Sequence, residues 1–157
     1  MKLLFATDLG EPHEVVAYVE MLAEKLEAEL LVLHVEIPVE QVTAIPVDPL
    51  SGVGAFAPYA LYDPTLIQEI EEARQHAFEE FLRKHFTRPI RPALKEGDPA
   101  EVILRDAEEQ QVDMLILGHR KHPFLERLLL GSVAEEVVKR ATVPTLLIPI
   151  LKKEEKE

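Results

Sequence analysis

Arg120, Lys121 and His122 stand side by side in GHRKHPFLERLLLGS, between Gly118 and the pair Gly131-Ser132. An apolar, strand-like run precedes the first glycine, and a helix-like pattern follows the second. Glycine permits a tight turn and close backbone approach, and the free N–H groups at a helix start form an anion site. Phosphate is the natural anion for such a place, where Lys121 would add a point charge and Arg120 a planar fork. The spacing is neither a Walker A loop nor G-x-G-x-x-G. Without a ligand the same residues read as a strand end at Gly118, a helix cap at Ser132 and a solvated basic loop. A second polar turn, TDLGEPHE, follows the first apolar run. There Asp8 is either a ligand group or a turn-former before Gly10.

The histidines carry less. His34 lies in an apolar run and reads as a hydrogen-bonded core residue. His119 and His122 have H-x-x-H spacing but lack a third positioned ligand, so they do not make a metal site. His76 and His85 are expected on a helix surface.

Composition narrows the function classes. The net charge is -12, with 29 Asp and Glu against 17 Lys and Arg. That argues against nucleic acid as a partner, since its affinity comes mostly from Lys and Arg neutralising phosphates. A small phosphorylated ligand is still compatible, because local backbone N–H groups can hold it whatever the global charge. The chain has no cysteine, which excludes disulfides, thiolate metal sites and cysteine nucleophiles and fits a reducing, cytoplasmic setting. The apolar run in MKLLFATDLGEPHE is too short for a signal sequence or a membrane span, so no membrane association is expected.

The elements that would position these residues alternate. KLLFA, 2 to 6, and ELLVLHV, 29 to 35, are short apolar runs that read as strands buried on both faces. Between them Val15, Val19, Leu22 and Leu26 recur at helical spacing, with Pro12 suited to the first helical position. Residues 36–64 hold Pro38, Pro46, Pro49, Pro58 and Pro64 without a sustained period, and read as a long insertion loop, a lid or a contact surface. A second helix is expected from Leu66, with Ile70, Ala73, Ala77, Phe78 and Phe81 on its inner face. Ile90 to Leu94 reads as an edge strand because Pro92 removes a ladder donor. Asp98-Pro99-Ala100-Glu101 is a capping-box start for a helix carrying Val102, Ile103 and Ala107. MLILG, 114 to 118, is a further strand closing on Gly118. Ser132 to Glu135 repeats the capping logic, with Val133, Val137, Val138 and Ala141 facing inward. VPTLLIPI, 143 to 150, is the last strand. Residues 1–151 form one domain and 152–157 a charged tail.

The expected fold is therefore α/β: an open five-stranded, mainly parallel sheet with helices on both faces and right-handed crossovers. Ligands of such sheets sit beyond the carboxyl ends of strands, where strand order reverses. The turns after the first and fourth strands would face one crevice.

ATDLGE, LLVLHV, EGDPAEVILRDAEEQQVDMLILGHR and LLLGSVAEEVVKRATVPTLLIP together resemble the universal stress protein family, over nearly the whole chain except the Pro-rich insertion. Gly118 to Gly131-Ser132 is similar to the nucleotide motif G-x2-G-x9-G-[ST] of the family's ATP-binding branch, with Lys121 where the motif has its second glycine. The resemblance implies an adenine nucleotide α-hydrolase-like, Rossmann-like sandwich that binds ATP or AMP, with or without Mg2+. It implies that Asp8 sits by the ribose with Ala6 and Thr7 beside it, and that Val35 lines the adenine pocket. Leu117 and Gly118 would face the adenosine. Gly131, Ser132 and Val133 would hold the phosphates, and Lys121 would still offer its backbone N–H. It also implies a homodimer through the C-terminal strand and regulation through an unnamed protein partner.

Two other classes compete with that nucleotide-binding regulator. One is a dimeric interaction module of the same fold that has lost the nucleotide, with Lys121 marking the lost pocket. The other is an enzyme of the α-hydrolase-like group, which would show an S-G-G-x-D-S type loop where this chain has TDLGEPHE. No G-x-S-x-G elbow, H-E-x-x-H or Walker pair is present, so a fast enzyme is not expected. Slow ATP hydrolysis, with Asp8 or Ser132 near Mg2+, is the most that the residues allow.

Overall fold

The computed structural model describes residues 1–39, 63–120 and 130–151. Among these, β1 (Lys2–Thr7), α1 (His13–Lys25), β2 (Glu29–Glu36), α2 (Pro64–His85), β3 (Arg91–Glu96), α3 (Pro99–Glu109), β4 (Met114–Arg120), α4 (Ser132–Arg140) and β5 (Thr145–Ile150) alternate along the chain. Most of the Pro-rich insertion, Lys121, His122 and the charged tail lie outside the described residues.

The strands form one parallel sheet in the order β3-β2-β1-β4-β5. The apolar runs of β1, β2 and β4 are continuous because both faces are covered, and successive side chains go to opposite sides. Leu3, Phe5, Leu30 and Val32 pack against Val16 and Val19 of α1 and Phe78 and Phe81 of α2. Leu4, Ala6, Leu31 and Leu33 pack against Ala100, Ile103 and Ala107 of α3 and Ala134 and Val137 of α4. The fully buried Leu3, Leu4, Phe5 and Leu33 each contribute about 1.5–3 kcal/mol of apolar burial.

The chain steps from β1 to β2 to β3 in one direction, then returns past β1 to β4 and β5. Crossovers of one hand lay their helices on opposite faces when they travel in opposite directions. That accounts for α1 and α2 on one side and α3 and α4 on the other. The reversal falls between β1 and β4, which pair from Leu3↔Met114 to Ala6↔Leu117.

Pro92 sits in the edge strand β3, as expected from its missing N–H. The Asp98 side chain accepts the Glu101 N–H at 3.0 Å and starts α3, after Gly97 turns the chain at φ 146.

Several expectations are corrected. Pro12 is the residue before α1 rather than its first helical residue. Pro64 opens α2 instead of ending the insertion, and Asp63 caps it through a bond from the Thr65 N–H at 2.9 Å. Ala73 and Ala77 face solvent, because α2 meets the sheet on a narrow stripe around Phe78 and Phe81. His85 is not on the surface: it is buried between Phe81 and His13. β4 does not close on Gly118 but pairs with β5 through His119 and Arg120. Ser132 is the first residue of α4, not its cap; Gly131 takes the cap position and supplies no side-chain bond. Val138 is exposed, because Ala134 and Val137 take the inward face of this short helix.

Candidate functional site

The turn after β1 is held by its own side chains. Thr7, buried at the strand end, donates its hydroxyl to Glu11 Oε2 at 2.5 Å and accepts the Leu9 N–H at 2.9 Å. Glu11 Oε1 accepts the Asp8 N–H at 3.2 Å, and Asp8 Oδ1 accepts the Gly10 N–H at 2.7 Å. Asp8 is thus a turn-former, as one reading of the sequence had it. The left-handed residue of the turn is Leu9, at φ 67, and not the glycine that follows. A leucine there costs roughly 1–2 kcal/mol, which the surrounding hydrogen bonds and the packing of Leu9 against the core offset. The Arg120 guanidinium lies over Gly10, and a Cβ added there would push this exposed side chain aside.

Asp8 and Glu11 are pushed in opposite directions. Burial alone would raise the Asp8 carboxyl, but the Gly10 N–H and the Arg120 guanidinium outweigh it and hold the group below the usual carboxylate range. Burial pushes Glu11 up; the Thr7 hydrogen bond opposes the rise and the negative charge of Asp8 adds to it. Neighbouring β2 supplies His34, whose Nδ1 meets the Thr7 carbonyl at 2.7 Å and whose Nε2 meets Glu36 Oε1 at 2.9 Å. It is the hydrogen-bonded core histidine that its apolar setting predicts.

Across the reversal point, Leu117 and His119 are buried, while Arg120 reaches back to place Nη2 3.1 Å from Asp8 Oδ2. Gly118 is a packing glycine: an added Cβ would lie 3.0 Å from Ile150 Cδ1 and 3.2 Å from Glu11 Cγ. Gly131 precedes α4, whose first described intrahelical bond runs from the Glu135 N–H to the Gly131 carbonyl. The N–H groups of Ser132, Val133 and Ala134 therefore have no intrahelical acceptor, and the positive end of the helix dipole is presented there.

These parts enclose one cleft of about 520 Å³. It is lined by Ala6, Thr7 and Asp8 from the first turn, by Val35, by Leu117 and Gly118, and by Gly131, Ser132 and Val133. All the described residues expected at a ligand site therefore share one wall or another of the same cavity; Lys121 lies outside the described residues. Sequence reasoning missed Glu11, His119, Ile103 and Pro99, which also line it. The signal for Glu11 was a second carboxylate in the same turn as Asp8; the others depend on tertiary packing. Among the described residues no group of three or more His, Cys, Asp or Glu is arranged to hold a metal ion. Nor is any described helix long and apolar enough to cross a membrane.

Known proteins are similar to this chain in sequence and fold. The chain is 29% identical over 154 residues to universal stress protein MJ0531 of Methanocaldococcus jannaschii, covering 98% of this chain and 84% of that protein. It is 26% identical over 155 residues to universal stress protein MJ0577 of the same organism, covering 94% and 93%. The solved structure of MJ0577 matches with a TM-score of 0.59 at 25% identity, over 97% of each chain. A universal stress protein solved in complex with cAMP matches in fold, with a TM-score of 0.57 at 17% identity over 96% of this chain and 98% of that one. Residues 1–149 match the family model itself, and the chain belongs to the universal stress protein family.

Proposed function

We propose that this protein is a nucleotide-binding regulator that takes ATP or AMP in the cleft between β1, β4 and α4. The observation that carries the reading is Gly131. Its φ of -58 is open to any residue, and a Cβ added there would meet nothing within 4 Å among the described residues. Neither backbone conformation nor packing against the described residues asks for glycine, yet glycine stands at a helix start without a side-chain cap that opens on the cleft. The vacant side-chain space is where a phosphate would approach the Ser132 and Val133 N–H groups, with the Ser132 hydroxyl as a further donor. The cavity lies within the usual range for small-molecule sites.

In this reading Ala6, Val35 and Leu117 supply apolar surface for the adenine, and Gly118 lets the adenosine approach the β4 backbone. Asp8 accepts from the ribose hydroxyls. Mg2+ would enter on the ATP phosphates. A protein of the same fold has been solved in complex with cAMP, which supports an adenylyl ligand. The protein would act in the cytoplasm through a change of state read by a partner protein. It would work as a homodimer through β5, which lies at the sheet edge with Leu151 exposed beyond it.

The test is to purify the protein gently, denature it and identify released nucleotide by mass spectrometry. ATP·Mg2+ would then be titrated calorimetrically into wild type and Gly131→Val, with a thermal melt to confirm that the variant folds. Carried-over adenine nucleotide, or micromolar binding abolished in the variant, supports the reading. No nucleotide and no heat at millimolar ATP would sink it.

A further inference from the structure

Arg120 ends β4 and Asp8 follows β1, so the two stand on neighbouring strands where the strand order reverses. The guanidinium bridges that reversal, with Nη2 3.1 Å from Asp8 Oδ2, while Asp8 Oδ1 is held by the Gly10 N–H. The guanidinium rests over Gly10, where an added Cβ would displace it. The side chains of Arg120 and Asp8 are 60% and 62% exposed, and ion pairs this open separate at little cost.

Charge in the cleft makes the pair consequential. Among the described residues lining it, Arg120 is the one Lys or Arg, set against the carboxylate of Asp8. With Arg120 against it, the Asp8 carboxylate repels an incoming phosphate less. A phosphate also offers a guanidinium two parallel hydrogen bonds in place of the single one made by Asp8.

We propose that Arg120 is a specificity-determining latch: it holds Asp8 when the cleft is empty and transfers to a phosphate group when a nucleotide enters. This rests on the nucleotide-binding reading and adds its selectivity. A nucleoside must compete with Arg120 for Asp8 and gives the displaced guanidinium nothing in return. A nucleotide exchanges one anionic partner of Arg120 for another, and Asp8 is released to the ribose. The cleft therefore selects phosphorylated over unphosphorylated adenine ligands.

AMP and adenosine differ by that one group, so both would be titrated calorimetrically into the full chain as wild type, Arg120→Ala and Arg120→Lys. Wild type is expected to prefer AMP by tenfold or more, about the worth of one charge-assisted hydrogen bond. Arg120→Ala should collapse the preference from both sides, with AMP weaker and adenosine tighter. Arg120→Lys, which keeps the charge but not the fork, should fall between. An unchanged preference in Arg120→Ala overturns the latch and leaves nucleotide binding standing. Weaker AMP with unchanged adenosine also overturns it, reducing Arg120 to a phosphate contact. If wild type binds neither ligand at millimolar concentration, latch and nucleotide reading fall together.

Discussion

Thr7 and Glu11 are joined by a 2.5 Å hydrogen bond in the lining of the cleft, and Glu11, whose carboxyl accepts it, is only 5% exposed. A protonated Glu11, or a glutamine in its place, keeps a polar group against Thr7 and the Asp8 N–H without bringing a second negative charge near Asp8.

Glu11→Gln therefore isolates the charge. Because the folded-state value is raised above the ordinary 4.5, the folded protein holds a proton that the unfolded chain has released. The stability this contributes is fully present below 4.5 and is lost as pH rises through the folded value. Urea titrations across that window should show wild type losing stability relative to Glu11→Gln as pH rises. Parallel curves would mean that Glu11 is ionised alike in both states.

Two helix starts that look similar in sequence should respond differently. Asp98→Ala removes a cap bond to the Glu101 N–H and should cost about 1 kcal/mol in chemical denaturation. Ser132 makes no cap bond, so Ser132→Ala should leave stability within about 0.5 kcal/mol while weakening ATP. A large stability loss for Ser132→Ala would contradict the cap assignment.

The cleft glycines separate packing from ligand space. Gly118→Ala forces a Cβ against Ile150 and Glu11 and should destabilise by about 1 kcal/mol. Gly131→Ser has open space and gains a hydroxyl that can cap the Ala134 N–H, so it should stabilise by a few tenths of a kcal/mol. Thermal melts of the two variants should move in opposite directions.

His85 carries the acid sensitivity of the α1–α2 packing. Its Nδ1 is buried without a hydrogen-bond partner among the described residues, and its ring centroid lies 4.7 Å from Phe81 and 5.7 Å from His13. Burial, then Lys84 and His13, push its titration below the ordinary 6.5. The unfolded chain takes up the proton first, so stability falls as pH drops from 6.5 through the folded value. His85→Leu should be equal or up to about 1 kcal/mol more stable at neutral pH and should lose less on acidification. Melting temperatures at several pH values on either side of 6.5 test both parts. An equally acid-sensitive variant would place the effect elsewhere.

By itself the sequence determined the α/β class, the five strands, the edge position of β3 and the turns that face the cleft. These are legible because a strand covered on both faces must be continuously apolar, and because Pro92 and Asp98 act through their own backbone neighbourhood. Asp8, Gly118, Gly131 and Ser132 could be chosen because they sit where strands end and a helix begins. Tertiary structure alone decided what those residues do there. Arg120 reaches Asp8 across 112 positions of chain, Gly118 is small because of Glu11 and Ile150, and His85 is buried by His13. Each of these is a contact between segments remote in sequence, and local periodicity carries no signal for which distant side chain will arrive. The left-handed Leu9 belongs to the same group, since the turn that holds it is closed by Thr7 and Glu11 and Leu9 packs against the core.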